Sequence, residues 1–191
     1  MQWPNDAKLW DGRAATWFNV NMGNVDTDRS DYFCTAIGRR FHQQRRIDRA
    51  KAVIGTYLGR WDMTIACHSN GDDIILKALA QLKWPRVENL HLISGACEAD
   101  FDRNGLNVAL ANGKIGNVSV YVAGKDKALG FVGWFKPARW LGYGTLGLKG
   151  PMNVEEHVKS MVMTVFKPAY GHGDWFTEGA NFEETMRWVA A

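Results

Sequence analysis

Short apolar runs recur along the chain, and stretches with helical spacing separate them. Apolar runs bounded by glycine, asparagine and other turn residues are typical of strands. They predict strands over Ala15–Val20, Met63–Cys67, Asn89–Ser94, Val118–Ala123 and Ser160–Phe166. In the stretches between them, apolar residues three and four positions apart indicate amphipathic helices. These helices are predicted over Arg45–Leu58, Asp72–Leu82, Gly105–Asn112 and Phe182–Val189.

This alternation predicts an α/β fold. We expect a mostly parallel central sheet of about five to six strands with helices on both faces, in three layers. Neither a repeat nor a linker interrupts the pattern, so residues 1–191 are predicted to form one domain. In open parallel sheets, ligands bind beyond the carboxyl ends of the strands. Candidate functional residues are therefore sought there.

Composition narrows the range of partners. The hydrophobic fraction of 46% and the charged fraction of 23% are ordinary for a globular protein. The net charge of +3 gives little support for nucleic-acid binding. A basic cluster could bind nucleic acid. On a helix, however, its side chains spread around the circumference, so we interpret the cluster as a solvated helix face. We therefore expect no nucleic-acid partner. The cluster consists of Arg39, Arg40, Arg45, Arg46, Arg49 and Lys51.

Other sequence features argue against bound metals and membrane spans. The three cysteines have a spacing that matches neither a zinc site nor a disulfide framework. The histidines and carboxylates also lack metal-ligand spacing, so we expect no metal and no cofactor. No apolar run approaches the roughly 20 residues that span a bilayer, and no signal peptide is evident. A cytoplasmic location without a membrane span is the resulting expectation.

The segment 67–71, Cys-His-Ser-Asn-Gly, lies between a predicted strand and a predicted helix. It resembles the Gly-x-Ser-x-Gly nucleophile turn of α/β-hydrolases, with Cys67 in place of the first glycine. The resemblance implies that Ser69 is the nucleophile and that the backbone N–H of Asn70 helps to form the oxyanion hole. The alternative is a loop that only joins the strand to the helix.

The same resemblance implies an acid and a base later in the chain, in the order Ser, Asp or Glu, His. Asp126 follows the strand Val118–Ala123 and is the predicted acid. Two alternatives stay open. Asp126 could be a solvated loop residue paired with Lys125 or Lys127. The acid could also come from the preceding strand end, which carries Glu98, Asp100 and Asp102.

His172 is the predicted base. It follows the last predicted strand, and glycines on both sides let it project from a loop. A surface histidine is the alternative. The other histidines fit the role of base less well. We expect the ring of His68 to point away from Ser69.

A second oxyanion donor is expected in the loop after the first strand, where Met22 is preferred over Asn21. The predicted substrate-binding residues are Asn21, His68, Phe131, Trp134 and Trp175. The aromatic, glycine-rich stretch 129–150 either forms a flap or wall over the acyl pocket, or is a long loop packed on the domain.

Together, these residues resemble a minimal, cutinase-like member of the α/β-hydrolase superfamily that lacks antiparallel strands at its N-terminus. The resemblance implies a serine hydrolase that cleaves a small carboxylic ester through an acyl-enzyme. A thioesterase or amidase with the same triad, and an inactive binding module on the same fold, are the alternatives.

Overall fold

A computed structural model of the chain describes residues 8–10, 13–18, 36–56, 63–83, 86–134, 143–177 and 180–190. The strands are β1 Lys8–Trp10, β2 Arg13–Phe18, β3 Thr64–His68, β4 Val87–Ile93, β5 Ile115–Ala123 and β6 Val162–Lys167. The helices are α1 Ala36–Thr56, α2 Asn70–Gln81, α3 Phe101–Asn104, α4 Leu106–Ala111, α5 Lys127–Trp134, α6 Leu146–Lys149 and α7 Ala180–Ala190. Short 3₁₀ turns lie at Glu156–Met161 and Asp174–Phe176.

Strands β3 to β6 form a four-stranded parallel sheet in chain order. Strand β2 pairs in parallel with the outer side of β3, and β1 pairs antiparallel with β2. The predicted α/β class, with a parallel sheet and flanking helices, is thus confirmed. The antiparallel β1 corrects the expectation that no such strand precedes the first parallel one. Its length of 3 residues is too short to give an alternation pattern.

The two faces of the sheet bury separate apolar clusters. On the first face, α1 and α2 pack on alternate strand residues such as Ile65, Leu92 and Val120. Helix α2 forms because its apolar residues recur at helical spacing, and Ile74, Ile75, Ala78 and Leu79 are all buried. On the second face, the intervening strand residues pack with Trp175 and with Val189 of α7.

Several predicted element boundaries shift. The predicted helix Gly105–Asn112 begins earlier, as α3, and is interrupted at Gly105, which has a left-handed φ of 81°. The start of the last predicted strand is a 3₁₀ turn. The stretch 129–150 is not a continuous loop, since α5 extends into it and α6 lies near its end. Within the described ranges, no helix is both long enough and apolar enough to cross a membrane.

Candidate active site

The carboxyl ends of three parallel strands bring together Ser69, Asp126 and His172. Ser69 directly follows β3, Asp126 follows β5 and His172 follows β6. The Ser69 hydroxyl lies 2.9 Å from Nε2 of His172. Nδ1 of His172 lies 2.7 Å from a carboxylate oxygen of Asp126. Since the carboxylate only accepts, Nδ1–H donates to it and Nε2 is left to accept from the hydroxyl.

The turn at Ser69 is strained and firmly held. Its φ of 58° and ψ of −124° are unusual for a residue with a side chain, and such conformations cost about 1–3 kcal/mol. The backbone N–H of Ser69 donates to Ile93 O at 3.0 Å, and its carbonyl accepts from Ala96 N at 3.0 Å. Although Ser69 occupies the N-cap of α2, its side chain makes no capping bond. The hydroxyl is instead directed to His172.

Cys67 occupies the position of the first glycine in the Gly-x-Ser-x-Gly pattern. Its side chain is buried in the first-face cluster, below the turn. Its thiol contacts the carbonyl oxygen of His91 at 3.5 Å. Burial raises the pKa of the Cys67 thiol well above its ordinary value, so the thiol stays protonated and unreactive.

Asp126 is held in place by the helix that follows it. It is 2% exposed, and its Oδ1 accepts the backbone N–H of Leu129 at 2.8 Å, in the first turn of α5. The competing carboxylates have other partners. Asp100 caps α3, Glu98 accepts from Ala99 N–H, and Asp102 accepts from Asn107. The structure thus places Asp126, rather than any of these, against the histidine.

The loop of His172 packs directly on the loop of Asp126. Lys125 N–H donates to Tyr170 O at 2.9 Å. A Cβ on Gly124 would lie 2.7 Å from the carbonyl oxygen of Pro168, so only glycine permits this approach of the two backbones. The close packing fixes the separation between the histidine and the carboxylate.

His68 does not lie where the sequence indicated. Its ring does not turn away from the site, because Nε2 lies 3.0 Å from the carbonyl oxygen of His172. Burial lowers the pKa of His68 to about 4. The ring is also not among the residues that line the nearby cavity. The structure shows a contact between His68 and the loop of His172, and the substrate-binding role of His68 stays a prediction.

The aromatic residues predicted to bind substrate lie in two different environments. Trp175 is only 1% exposed and belongs to the second-face core, where its Nε1–H donates to Ser94 Oγ at 2.8 Å. The turn Asp174–Phe176 directs it inward. Phe131 and Trp134 on α5 are 57% and 77% exposed, and neither lines the cavity beside Ser69.

A cavity of about 220 Å³ opens beside the Ser69 hydroxyl. Apart from Ser69 and His172, it is lined by Asn70, Ala96, Ala128, Leu129, Val132 and Tyr143. Leu129, Val132 and Tyr143 belong to the stretch 129–150, for which the sequence analysis offers a wall over the acyl pocket as one interpretation. Ala96 and Ala128 were not predicted, because nothing in the sequence pattern at these positions marks a pocket. The first N–H groups of a helix lack intrahelical partners, so Asn70 N–H is available at the start of α2. Met22 and Asn21 lie outside the described residues.

The sequence pattern places Asp72 in a helix and indicates nothing more, yet the side chain is fully buried below the serine turn. Neither of its carboxyl oxygens has a hydrogen-bond partner among the described residues. Burial raises the pKa of this carboxyl well above its ordinary value, more than the neighbouring Cys67 lowers it. A Cβ at Gly95 would lie 2.5 Å from Oδ2 of Asp72, so glycine is needed there.

Over the described ranges, no group of three or more His, Cys, Asp or Glu side chains is arranged to hold a metal ion. No protein-family model, curated protein or solved structure matches the chain. The assignment to the α/β-hydrolase superfamily thus stays a prediction, and the function is inferred from the geometry of the site.

Proposed function

We propose that the chain is a serine hydrolase of the α/β-hydrolase type that cleaves carboxylic esters through an acyl-enzyme. One observation carries the proposal: the hydrogen-bonded series from Ser69 through His172 to Asp126, with distances of 2.9 and 2.7 Å. Its members come from three separate strand ends and follow one another in the chain order of that superfamily. We propose the minimal three-layer form of this fold, with a sheet of about five to six strands.

In the proposed reaction, Ser69 Oγ attacks the ester carbonyl while its proton passes to Nε2 of His172. Asp126 stabilises the imidazolium that forms. The C–O bond to the alcohol then breaks, and His172 returns the proton to the leaving oxygen. Water next attacks the acyl carbon, with His172 again as base. The bond between this carbon and Ser69 Oγ then breaks, His172 returns the proton to Oγ, and the free acid leaves.

The developing oxyanion needs backbone donors. Asn70 N–H at the start of α2 is one candidate, and the positive end of the helix adds to its effect. Met22 N–H is the proposed second donor. One such donor typically contributes about 3 kcal/mol to lowering the barrier.

The apolar cavity supports a short acyl group. At about 220 Å³, it is smaller than the roughly 300–1,000 Å³ of pockets for drug-sized ligands. Leu129, Val132 and Tyr143 would contact the acyl chain. We therefore propose esters of acids with a few carbons as substrates. Thioesters and amides of the same acids are alternatives, because the catalytic residues do not select the leaving group.

Labelling with a fluorophosphonate probe tests the proposal, since this probe forms a covalent bond with an activated serine. We expect wild type to be labelled and to hydrolyse p-nitrophenyl acetate. Ser69→Ala should lose both properties, whereas Ser160→Ala, at an exposed position, should keep them. Equal labelling of Ser69→Ala and wild type would contradict the proposal. A wild type that is not labelled would favour a binding module on the same fold.

A further inference from the structure

We propose that His68 is a positioning residue, which holds the main chain of His172 against the strand that carries Ser69. This inference rests on the proposed hydrolase activity. His68 is the last residue of β3 and directly precedes Ser69. Alternation along β3 places it on the second face with Ala66, where Phe176 of the 3₁₀ turn also packs.

The direction of the hydrogen bond determines which ring nitrogen of His68 carries the hydrogen. Its Nε2 lies 3.0 Å from the carbonyl oxygen of His172. A carbonyl only accepts, so Nε2 carries the hydrogen and donates. The His68 and His172 ring centroids are 4.8 Å apart, and Phe176 meets His68 edge-on at 5.1 Å. These contacts hold the ring in one orientation.

The neutral state of His68 matters for the base. When His172 takes up the serine proton it becomes a cation, and a second cation beside it would oppose this step. Burial has the largest effect and lowers the pKa of His68. The hydrogen bond to the His172 carbonyl raises this pKa, the charge of the His172 ring lowers it, and Asp126 raises it, but burial outweighs these smaller effects. Above about pH 4 the His68 ring therefore donates a hydrogen bond without adding charge.

The loop of His172 needs such a restraint. Glycines precede and follow the histidine, and glycine leaves the backbone free to adopt many conformations. Other bonds of the loop are made at residues beside His172: Tyr170 accepts from Lys125, and Gly171 donates to Asp174. The bond from His68 acts on the main chain of the base itself. It links the main chain of His172 to the residue next to Ser69. Strand β3 therefore sets the distance between Ser69 Oγ and His172 Nε2.

Replacement of His68 by leucine and by glutamine separates the hydrogen bond from packing, because glutamine retains an N–H donor at similar reach. For His68→Leu we expect the fluorophosphonate labelling rate and the kcat on p-nitrophenyl acetate to fall about 10- to 100-fold, because small displacements of a catalytic group have effects of this size. The KM should change less than about 2-fold. His68→Gln should recover both rates to within about 5-fold of wild type.

His91 offers the matched control. It is a buried histidine on the same face, with a pKa also lowered to about 4, and it bonds to Tyr121 Oη at 2.9 Å instead of to the loop of His172. His91→Leu should lower stability but leave both rates unchanged. Wild-type rates in His68→Leu, equal slowing by His68→Gln, or equal slowing by His91→Leu would each overturn the inference.

Ring ¹⁵N NMR tests the contact without any reaction. Between pH 3 and 8, the His68 ring should keep its hydrogen on Nε2 while neutral and titrate near its pKa of about 4. Hydrogen on Nδ1, or titration near the ordinary value of about 6.5, would overturn the contact. A wild type that shows the expected NMR signals but reacts neither with esters nor with the probe would overturn the proposed function alone.

Discussion

Asp126 contacts Leu129 and His172 through different oxygens. Oδ1 accepts the Leu129 N–H at 2.8 Å, and Oδ2 lies 2.7 Å from Nδ1 of His172. The proposed acid therefore also accepts a hydrogen bond from the first turn of α5, the helix whose Ala128, Leu129 and Val132 line the cavity. One carboxylate connects the orientation of the base with the position of the cavity wall.

Asp126→Asn should separate these two functions. The amide oxygen still accepts from Leu129, whereas the amide N–H₂ facing His172 favours the tautomer with hydrogen on Nε2, which cannot accept from the Ser69 hydroxyl. We expect kcat to fall by about 10⁴, as for this exchange in serine proteases, with little change in the free energy of unfolding. Esterase assays and urea unfolding measure the two effects.

Asp126→Ala is the companion variant. It should lose as much activity as Asp126→Asn and, in addition, about 0.5–2 kcal/mol of stability, because the helix loses its capping acceptor. Equal unfolding midpoints for the alanine and asparagine variants would show that the Leu129 bond contributes nothing to stability.

Gly124→Ala should displace the loop of His172. The added methyl group would lie 2.7 Å from the carbonyl oxygen of Pro168, so the two loops must separate. We expect a kcat at least about 10-fold lower, together with lower thermal stability. Gly130→Ala on α5 is the control, since a Cβ there meets no atom within 4 Å. It should leave kcat unchanged and strengthen the helix by up to about 1 kcal/mol. Similar kcat values for the two variants would refute the steric argument.

Trp175→Phe tests whether Trp175 stabilises the fold or binds substrate. The substitution removes the N–H donor to Ser94 Oγ and leaves a buried hydroxyl without that partner, at a cost of about 1–3 kcal/mol. Chemical unfolding should show this loss, while KM for short esters stays at the wild-type value. A raised KM without loss of stability would restore the substrate-binding interpretation.

Asp72 predicts an unusual dependence of stability on pH. Its pKa is raised in the folded state, so the folded protein binds a proton more tightly than the unfolded chain, whose Asp pKa is about 3.9. The contribution of this group is therefore fully present below pH 3.9 and is lost as pH rises toward and through the folded pKa. Asp72→Asn cannot ionise, so its stability relative to wild type should increase with pH.

Urea unfolding at several pH values from 4 to 9 measures this difference. Asp48→Asn on α1 is the control, because its carboxylate is exposed and lies 3.6 Å from the ammonium of Lys51. That variant loses an exposed ion pair, so it should gain no stability over wild type as pH rises. A pH-independent difference between wild type and Asp72→Asn would refute the argument.

The sequence predicted the strand ends and the three residues that meet there, because each signal is local. Apolar runs indicated the strands, and the resemblance of the segments after them to α/β-hydrolases singled out Ser69, Asp126 and His172. The choice of Asp126 over Asp100 could not be made locally, since both follow strands. It depends on which strand end faces the last loop, and the pairing of β5 with β6 determines this.

The side-chain environments were less predictable. Trp175 is three residues from His172 and was expected at the site, but a 3₁₀ turn directs it into the core. His68 was expected to face away, and its contact depends on how a loop 104 residues later packs on β3. Long-range packing of this kind leaves no periodic trace in the sequence.

The distance along the chain between Ser69 and His172, 103 residues, has a consequence for partial unfolding. The histidine depends on β6, an edge strand of the described sheet. Fraying of this strand and of the loop that follows would remove the base while the first-face core stays intact. Catalysis would then disappear before the global melting transition, and turnover would report on the docking of the final strand.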